Sequence, residues 1–152
     1  MSAEKECKPG PSCPNGVYVY DFEKKTWRLE EKLPFKENGY YVIYFDNSSC
    51  PACRKFDQEW FGFVESLDPP RPTLIIVLCD WFAKTCKSEH AKKLFEVFDV
   101  HISPTVFFMI RENGKITRMF KHEGLLDKDK LFFLHKAFKE FAKEDAPQQP
   151  SR

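Results

Sequence analysis

The stretch Tyr40-Tyr41-Val42-Ile43-Tyr44-Phe45 carries no charge and no alternation of apolar with polar positions, and nothing else in the chain constrains the fold as much. A strand with one wet face alternates, whereas a strand covered on both faces reads as a continuous apolar run. β-Branched and aromatic side chains also favour the extended state. The run therefore predicts a central strand with a layer on each side, and Thr73-Leu74-Ile75-Ile76-Val77-Leu78 predicts a second. Between them Phe56, Trp60, Phe63, Val64 and Leu67 recur at helical spacing, which predicts an amphipathic helix ended by Pro69-Pro70. Ala91, Leu94, Phe95 and Phe98, after Ser88-Glu89, predict another. Strand, helix and strand in succession imply a parallel pair joined by a crossover.

Thr105–Ile110 and Lys115–Phe120 flank Glu112-Asn113-Gly114, and an Asn-Gly turn between two strand patterns predicts an antiparallel hairpin. Leu131, Leu134, Phe138, Phe141 and Ala142 outline a last helix, while Val17–Tyr20 and Thr26–Arg28, around the charged turn Glu23-Lys24-Lys25, suggest a short hairpin or an edge strand. The expected class is α/β, with a central mixed sheet flanked by helices.

With 152 residues and sixteen phenylalanines, the chain has material for one full core and not for two domains and a linker. Residues 1–16, containing Pro9, Gly10, Pro11, Pro14 and Gly16, read as an extended arm; 17–145 form the domain; and 146–152, with Pro147, Gln148, Gln149 and Pro150, read as a disordered tail. A formal net charge of +1, with lysines scattered among glutamates, gives no electrostatic footprint for nucleic acid. The polar, acidic start Met1–Cys7 does not resemble a signal peptide, and no run approaches membrane-spanning length. A soluble, cytoplasmic protein with no membrane partner is expected.

The core needs no staple, so the six cysteines ask for a chemical explanation. Inside a cell, paired cysteines point to redox catalysis, to metal binding, or to a hyperthermophile that tolerates disulfides; abundant Lys and Glu beside scarce Asn and Gln agree weakly with the last. Cys50-Pro51-Ala52-Cys53 opens the first predicted helix. Disulfide chemistry needs a thiolate, and the free N–H groups and positive dipole end of a helix N-terminus stabilise one. Cys50 stands where that effect is greatest, and Cys53, one turn on, can attack a mixed disulfide formed at Cys50. Ile102-Ser103-Pro104-Thr105 begins the hairpin; Pro104 reads either as a strand boundary or as a cis-proline loop facing the cysteines.

From about Tyr40 to Ala142 the chain resembles the thioredoxin family. Phe45 with Cys50-Pro51-Ala52-Cys53, the loop Ser103-Pro104-Thr105, the hairpin Arg111-Glu112-Asn113-Gly114-Lys115 and Gly124 before the last helix carry the resemblance, in order. It implies a thioredoxin fold with an unmatched N-terminal extension, and a thiol–disulfide oxidoreductase acting on protein disulfides or dithiols through a mixed disulfide at Cys50 resolved by Cys53. It also implies a cis Pro104 whose loop, with Ser103, holds a substrate chain extended beside Cys50, and a Pro51-Ala52 pair that tunes potential and partner choice. The redox-active disulfide would be the only cofactor, with electrons from a thioredoxin reductase-like donor or a small thiol. The chain departs from the family in several places: Ser49 replaces a tryptophan, Pro51-Ala52 replaces Gly-Pro, and Tyr44 replaces a buried aspartate, whose lysine partner falls on Ile76-Val77. A tyrosine, with a pKa near ~10, is a poor base at neutral pH. Asp46 and Asp57 are the acids nearby, and the blander reading of both is a solvated surface. The other functional class is a docking module with a static Cys50–Cys53 disulfide, for which Phe132 and Phe133 are the first candidate contacts.

Cys79 ends the second run and Cys86 precedes the next helix. If the two strands are parallel, this pair lies on the same rim as Cys50, as a structural disulfide, as free thiols or as a second redox relay. Cys7 and Cys13 likewise either bridge or stay reduced. A zinc site built from Cys50, Cys53, Cys79 and Cys86 is the rival chemistry, but the six residues separating the second pair speak against it, and no metal is expected. His90, His101, His122 and His135 read as surface or packed residues. Peroxidase, phosphate-loop and dinucleotide signatures are absent from the sequence.

Overall fold

A computed structural model describes residues 6–30, 32, 35 and 37–145, without the side chains of 143–145. Its elements in order are β1 (Gly16–Asp21), β2 (Thr26–Glu30), β3 (Gly39–Asn47), α1 (Pro51–Glu65), β4 (Thr73–Cys79), α2 (Glu89–Val97), β5 (Thr105–Glu112), β6 (Lys115–Glu123) and α3 (Lys128–Asp145). The strands form one six-stranded mixed sheet in the order β2-β1-β4-β3-β5-β6. β3 and β4 run parallel, while β1–β2, β1–β4, β3–β5 and β5–β6 are antiparallel. The two continuous apolar runs are thus the central pair, and the first hairpin joins the sheet through β1, leaving β2 at the edge.

Strand residues alternate between two separate cores. Val42 and Tyr44 of β3 and Leu74, Ile76 and Leu78 of β4 pack with Phe56, Trp60 and Phe63 of α1 and with Leu131 and Phe138 of α3. Tyr41, Ile43 and Phe45, with Ile75 and Val77, face Ala91, Leu94 and Phe95 of α2. This two-sided cover is why neither run carries a charge. The β5–β6 turn has positive φ at both Asn113 and Gly114 (52° and 76°), the type I′ geometry whose twist suits a two-residue hairpin.

Two expectations need correction. The first helix does not reach Leu67: Ser66 caps α1, its N–H bonding Gly62 O and its hydroxyl Phe63 O, so the helix stops before Pro69 and Leu67 packs into the core from the following turn. Phe141 is not core but 57% exposed. The buried stripe of α3 runs instead through Leu131, His135, Phe138 and Ala142, because His135 is enclosed by Tyr40, Phe63 and Phe132, which turns the helix away from Phe141. Phe133 is exposed and Phe132 is partly covered.

The described part of the arm is docked. Glu6 bridges Arg28, the Cys7 N–H donates to Trp27 O, and Cys7 is disulfide-bonded to a buried Cys13. The first five residues of the arm and the tail expected over 146–152 lie outside the described residues. Among the described residues no helix is long and apolar enough to cross a membrane.

Candidate active site

Parallel pairing of β3 with β4 sets Asn47 beside Cys79 at the C-terminal edge of the sheet, and α1 starts four residues further on, at Pro51. Cys50 is its N-cap, in extended backbone, with Pro51 at the first helical position. A residue before proline is driven out of the helical region, and proline has no N–H to leave unpaired. The Cys50 sulfur takes the place a capping oxygen usually fills, accepting the Cys53 N–H at 3.1 Å. Ser103 closes over it: its hydroxyl lies 3.2 Å from Cys50 Sγ and its carbonyl 3.6 Å. The Ser103–Pro104 peptide is cis. Cys50 and Cys53 are unpaired thiols, 4% and 0% exposed. The fold thus brings together Cys50, Cys53, Ser103 and Pro104, with Pro51 exposed and Ala52 half-buried on the first turn.

Beneath the pair lies a polar cluster. Asp46 shares its strand face with Val42 and Tyr44, so it points under α1, and it is fully buried. Arg54 on α1 reaches Asp46 Oδ1 at 2.8 Å and Asp57 Oδ2 at 2.9 Å, and donates to the carbonyls of Asn47 and Ser48. The Tyr44 hydroxyl donates to Asp57 Oδ1 at 2.8 Å. Asp46 Oδ2 has no hydrogen-bond partner. Burial, reinforced by the charge of Asp57 and opposed by Arg54, lifts Asp46 from 3.8 to about 7. Burial, then the Asp46 charge, raises the Cys53 thiol well above its ordinary value. Burial also raises Tyr44 and Asp57. Neither acid is therefore the solvated surface group that the blander reading expected: Asp46 is sealed, and Asp57 is held by Arg54 and Tyr44.

The 79–86 loop forms the neighbouring wall. Cys79 and Cys86 are disulfide-bonded, with their Cα atoms 4.6 Å apart. Ser48 N–H donates to Cys79 O and Ser49 N–H to Asp80 O. Asp80 accepts from the Ser48 hydroxyl and the Asn15 amide, hydrogen bonds that hold its carboxyl below the usual range. The disulfide takes two of the four sulfurs a zinc site would need, and among the described residues no three His, Cys, Asp or Glu side chains gather as a metal-binding group. Cys7 and Cys13 pair with each other beside β2.

Arg54 and Asn47 were not legible as functional residues in the sequence. Strand parity was an available signal for Asp46, since any residue two beyond Tyr44 must share its face. Arg54, four residues after Cys50 and three before Asp57, needed the helix to be in place before its reach back to β3 had meaning.

No family model and no curated protein matches the sequence. Solved structures do match in three dimensions. The thioredoxin from Aeropyrum pernix superposes with a TM-score of 0.59 at 14% identity, covering 84% of this chain and 97% of its own. Chloroplastic thioredoxin z gives 0.51 at 13% identity, covering 68% and 81%. A thioredoxin-like protein from Clostridium perfringens gives 0.50 at 18% identity, covering 68% and 74%. The chain has the thioredoxin fold.

Proposed function

We propose that this thioredoxin-fold chain is a thiol–disulfide oxidoreductase that exchanges protein disulfides and dithiols through a mixed disulfide at Cys50, resolved by Cys53. The observation that carries the reading is Cys50 as the N-cap of α1, its sulfur accepting the Cys53 N–H beside the Ser103-Pro104 loop. A sulfur so placed has the unpaired N–H groups of the helix N-terminus aimed at it.

In the reducing direction, the Cys50 thiolate attacks one sulfur of a substrate disulfide. A Cys50–substrate bond forms and the other substrate sulfur leaves as thiolate. Cys53 then gives its proton to the carboxylate of Asp46, whose Oδ2 is unpartnered, and attacks Cys50 Sγ, releasing the second substrate thiol. The product is a Cys50–Cys53 disulfide, and a thioredoxin reductase-like partner or a small thiol returns the two electrons. Oxidation of a dithiol is the same sequence reversed. Asp46 supplies what Tyr44 cannot: a group poised near neutrality that both takes and returns a proton.

Insulin reduction with a thiol donor tests the reading. Turnover abolished by Cys50→Ser, with an intermolecular disulfide trapped at Cys50 in Cys53→Ser, is expected. Absence of turnover in the parent, together with a Cys50–Cys53 disulfide that glutathione cannot open at any poise, would leave a docking module.

A further inference from the structure

The Ser103 hydroxyl has one proton, and its direction decides whether it helps or hinders the attacking sulfur. A serine donor stabilises a thiolate, whereas a serine whose proton points elsewhere presents only lone pairs. Asn47, the last residue of β3 and fully buried, lies behind it. Asn47 Nδ2 donates to Ser103 Oγ at 3.0 Å. Asn47 Oδ1 accepts the backbone N–H of Phe82 at 2.7 Å. Only the amide oxygen can accept from an N–H, so the Phe82 contact determines which end of the amide faces Ser103. The hydroxyl then receives a hydrogen bond from Asn47, and its own proton is left for Cys50 Sγ, 3.2 Å away.

Phe82 is itself constrained. It has a left-handed backbone (φ 59°), rare for a bulky residue and a mark of a position imposed by its surroundings. Its loop is closed by the Cys79–Cys86 disulfide and by the Trp81–Thr85 bridge. We infer that Asn47 is a positioning residue which, anchored by the backbone of the disulfide-closed loop at Phe82, aims the Ser103 hydroxyl proton at the sulfur of Cys50. Ser103 is then a catalytic residue, touching the reacting atom, and the second disulfide contributes to the site by holding the anchor. This deepens the reading proposed above and rests on it for its purpose.

The test is a double-mutant cycle read by alkylation, in full-length chain carrying Cys53→Ser so that Cys50 is the single free thiol. Iodoacetamide reacts with the thiolate, so the rate from pH 5 to 9 reports the sulfur directly, whether or not any disulfide is turned over. Ser103→Ala should slow alkylation at pH 7 by roughly tenfold, the scale of one hydrogen bond to a charged group, and displace the pH profile to the alkaline side. Asn47→Ala should do nearly the same. Combining the two should add less than a twofold further effect, and Ser103→Thr, which keeps the hydroxyl, should restore the parent profile. If Asn47→Ala slows alkylation equally with and without the Ser103 hydroxyl, or leaves the profile of a folded chain unmoved, the inference is overturned. Should Asn47→Ala not fold, Asn47→Ser takes its place, since it offers Phe82 a polar group but stops a bond short of Ser103. Failure of insulin reduction with this cycle intact would count against the oxidoreductase and not against the positioning of Cys50.

Discussion

Replacing Asp46 by Asn should make the protein more stable and less active at once, by amounts the structure specifies. Asp46 is completely buried, is paired with Arg54 through one oxygen, and has its carboxyl pushed up by burial to about 7. Between pH 4 and 7 the folded chain therefore keeps a proton that the unfolded chain has released, so stability falls as pH rises through that window. Going from 3.8 to about 7, the linkage amounts to about 4 kcal/mol. Asparagine does not titrate and carries no such slope. The difference in unfolding free energy between Asp46→Asn and the parent should swing by about 4 kcal/mol in favour of the variant from pH 4 to pH 8, with the titrating groups that do not interact with Asp46 cancelling in the subtraction. Arg54 keeps Asp57 in the variant, so its charge is not left alone. Urea denaturation at half-unit steps of pH, with the two structural disulfides intact, measures the swing. In the same variant, resolution of a Cys50 mixed disulfide should slow by about a hundredfold at pH 7, the scale of a positioned base, and lose its inflection near neutrality. A stability difference flat to within ~1 kcal/mol across the range would refute the buried, proton-holding Asp46.

His135 tilts the other way. Burial, with Lys139 and Lys136 nearby, lowers it from 6.5 to about 4, so its contribution is complete above 6.5 and is lost as pH falls toward 4; up to about 3 kcal/mol of acid-side slope should vanish in His135→Phe, read by the same titration. Cys86→Ser opens the 79–86 loop and should cost about 2.5 kcal/mol in non-reducing urea unfolding, from the closure entropy of so short a ring. Trp60→Ala, removing a fully buried ring at the centre of the α1 face, should cost about 3–5 kcal/mol by the same measurement. Phe141→Ser should shift stability by no more than ~0.5 kcal/mol, as suits an exposed side chain.

Local chemistry was enough to determine the outline from the sequence. The two uniformly apolar runs could only be strands covered on both faces, Asn113-Gly114 could only turn tightly, and Cys50-Pro51 could only open a helix, since each of these depends on a few adjacent residues and on backbone sterics. The Cys50–Cys53 pair and the loop before Pro104 were legible for the same reason. What the tertiary structure decided was the fate of groups whose behaviour depends on what lies across the fold. Asp46 is an ordinary acid in the sequence and a neutral-range proton holder in the structure, because strand parity turns it under α1 and the helix excludes water. Phe141 looked like core until His135, enclosed by Tyr40 and Phe63, set the rotation of α3. Ser103 and Cys50 are 53 positions apart, and Phe82 and Asn47 are 35 apart, so the hydrogen bonds that link Phe82, Asn47, Ser103 and Cys50 exist only once β3, the disulfide loop and the proline loop share one edge of the sheet. Sequence periodicity records which side of an element is dry; the pairing of polar groups across elements is settled by burial and distance, which only the assembled fold supplies.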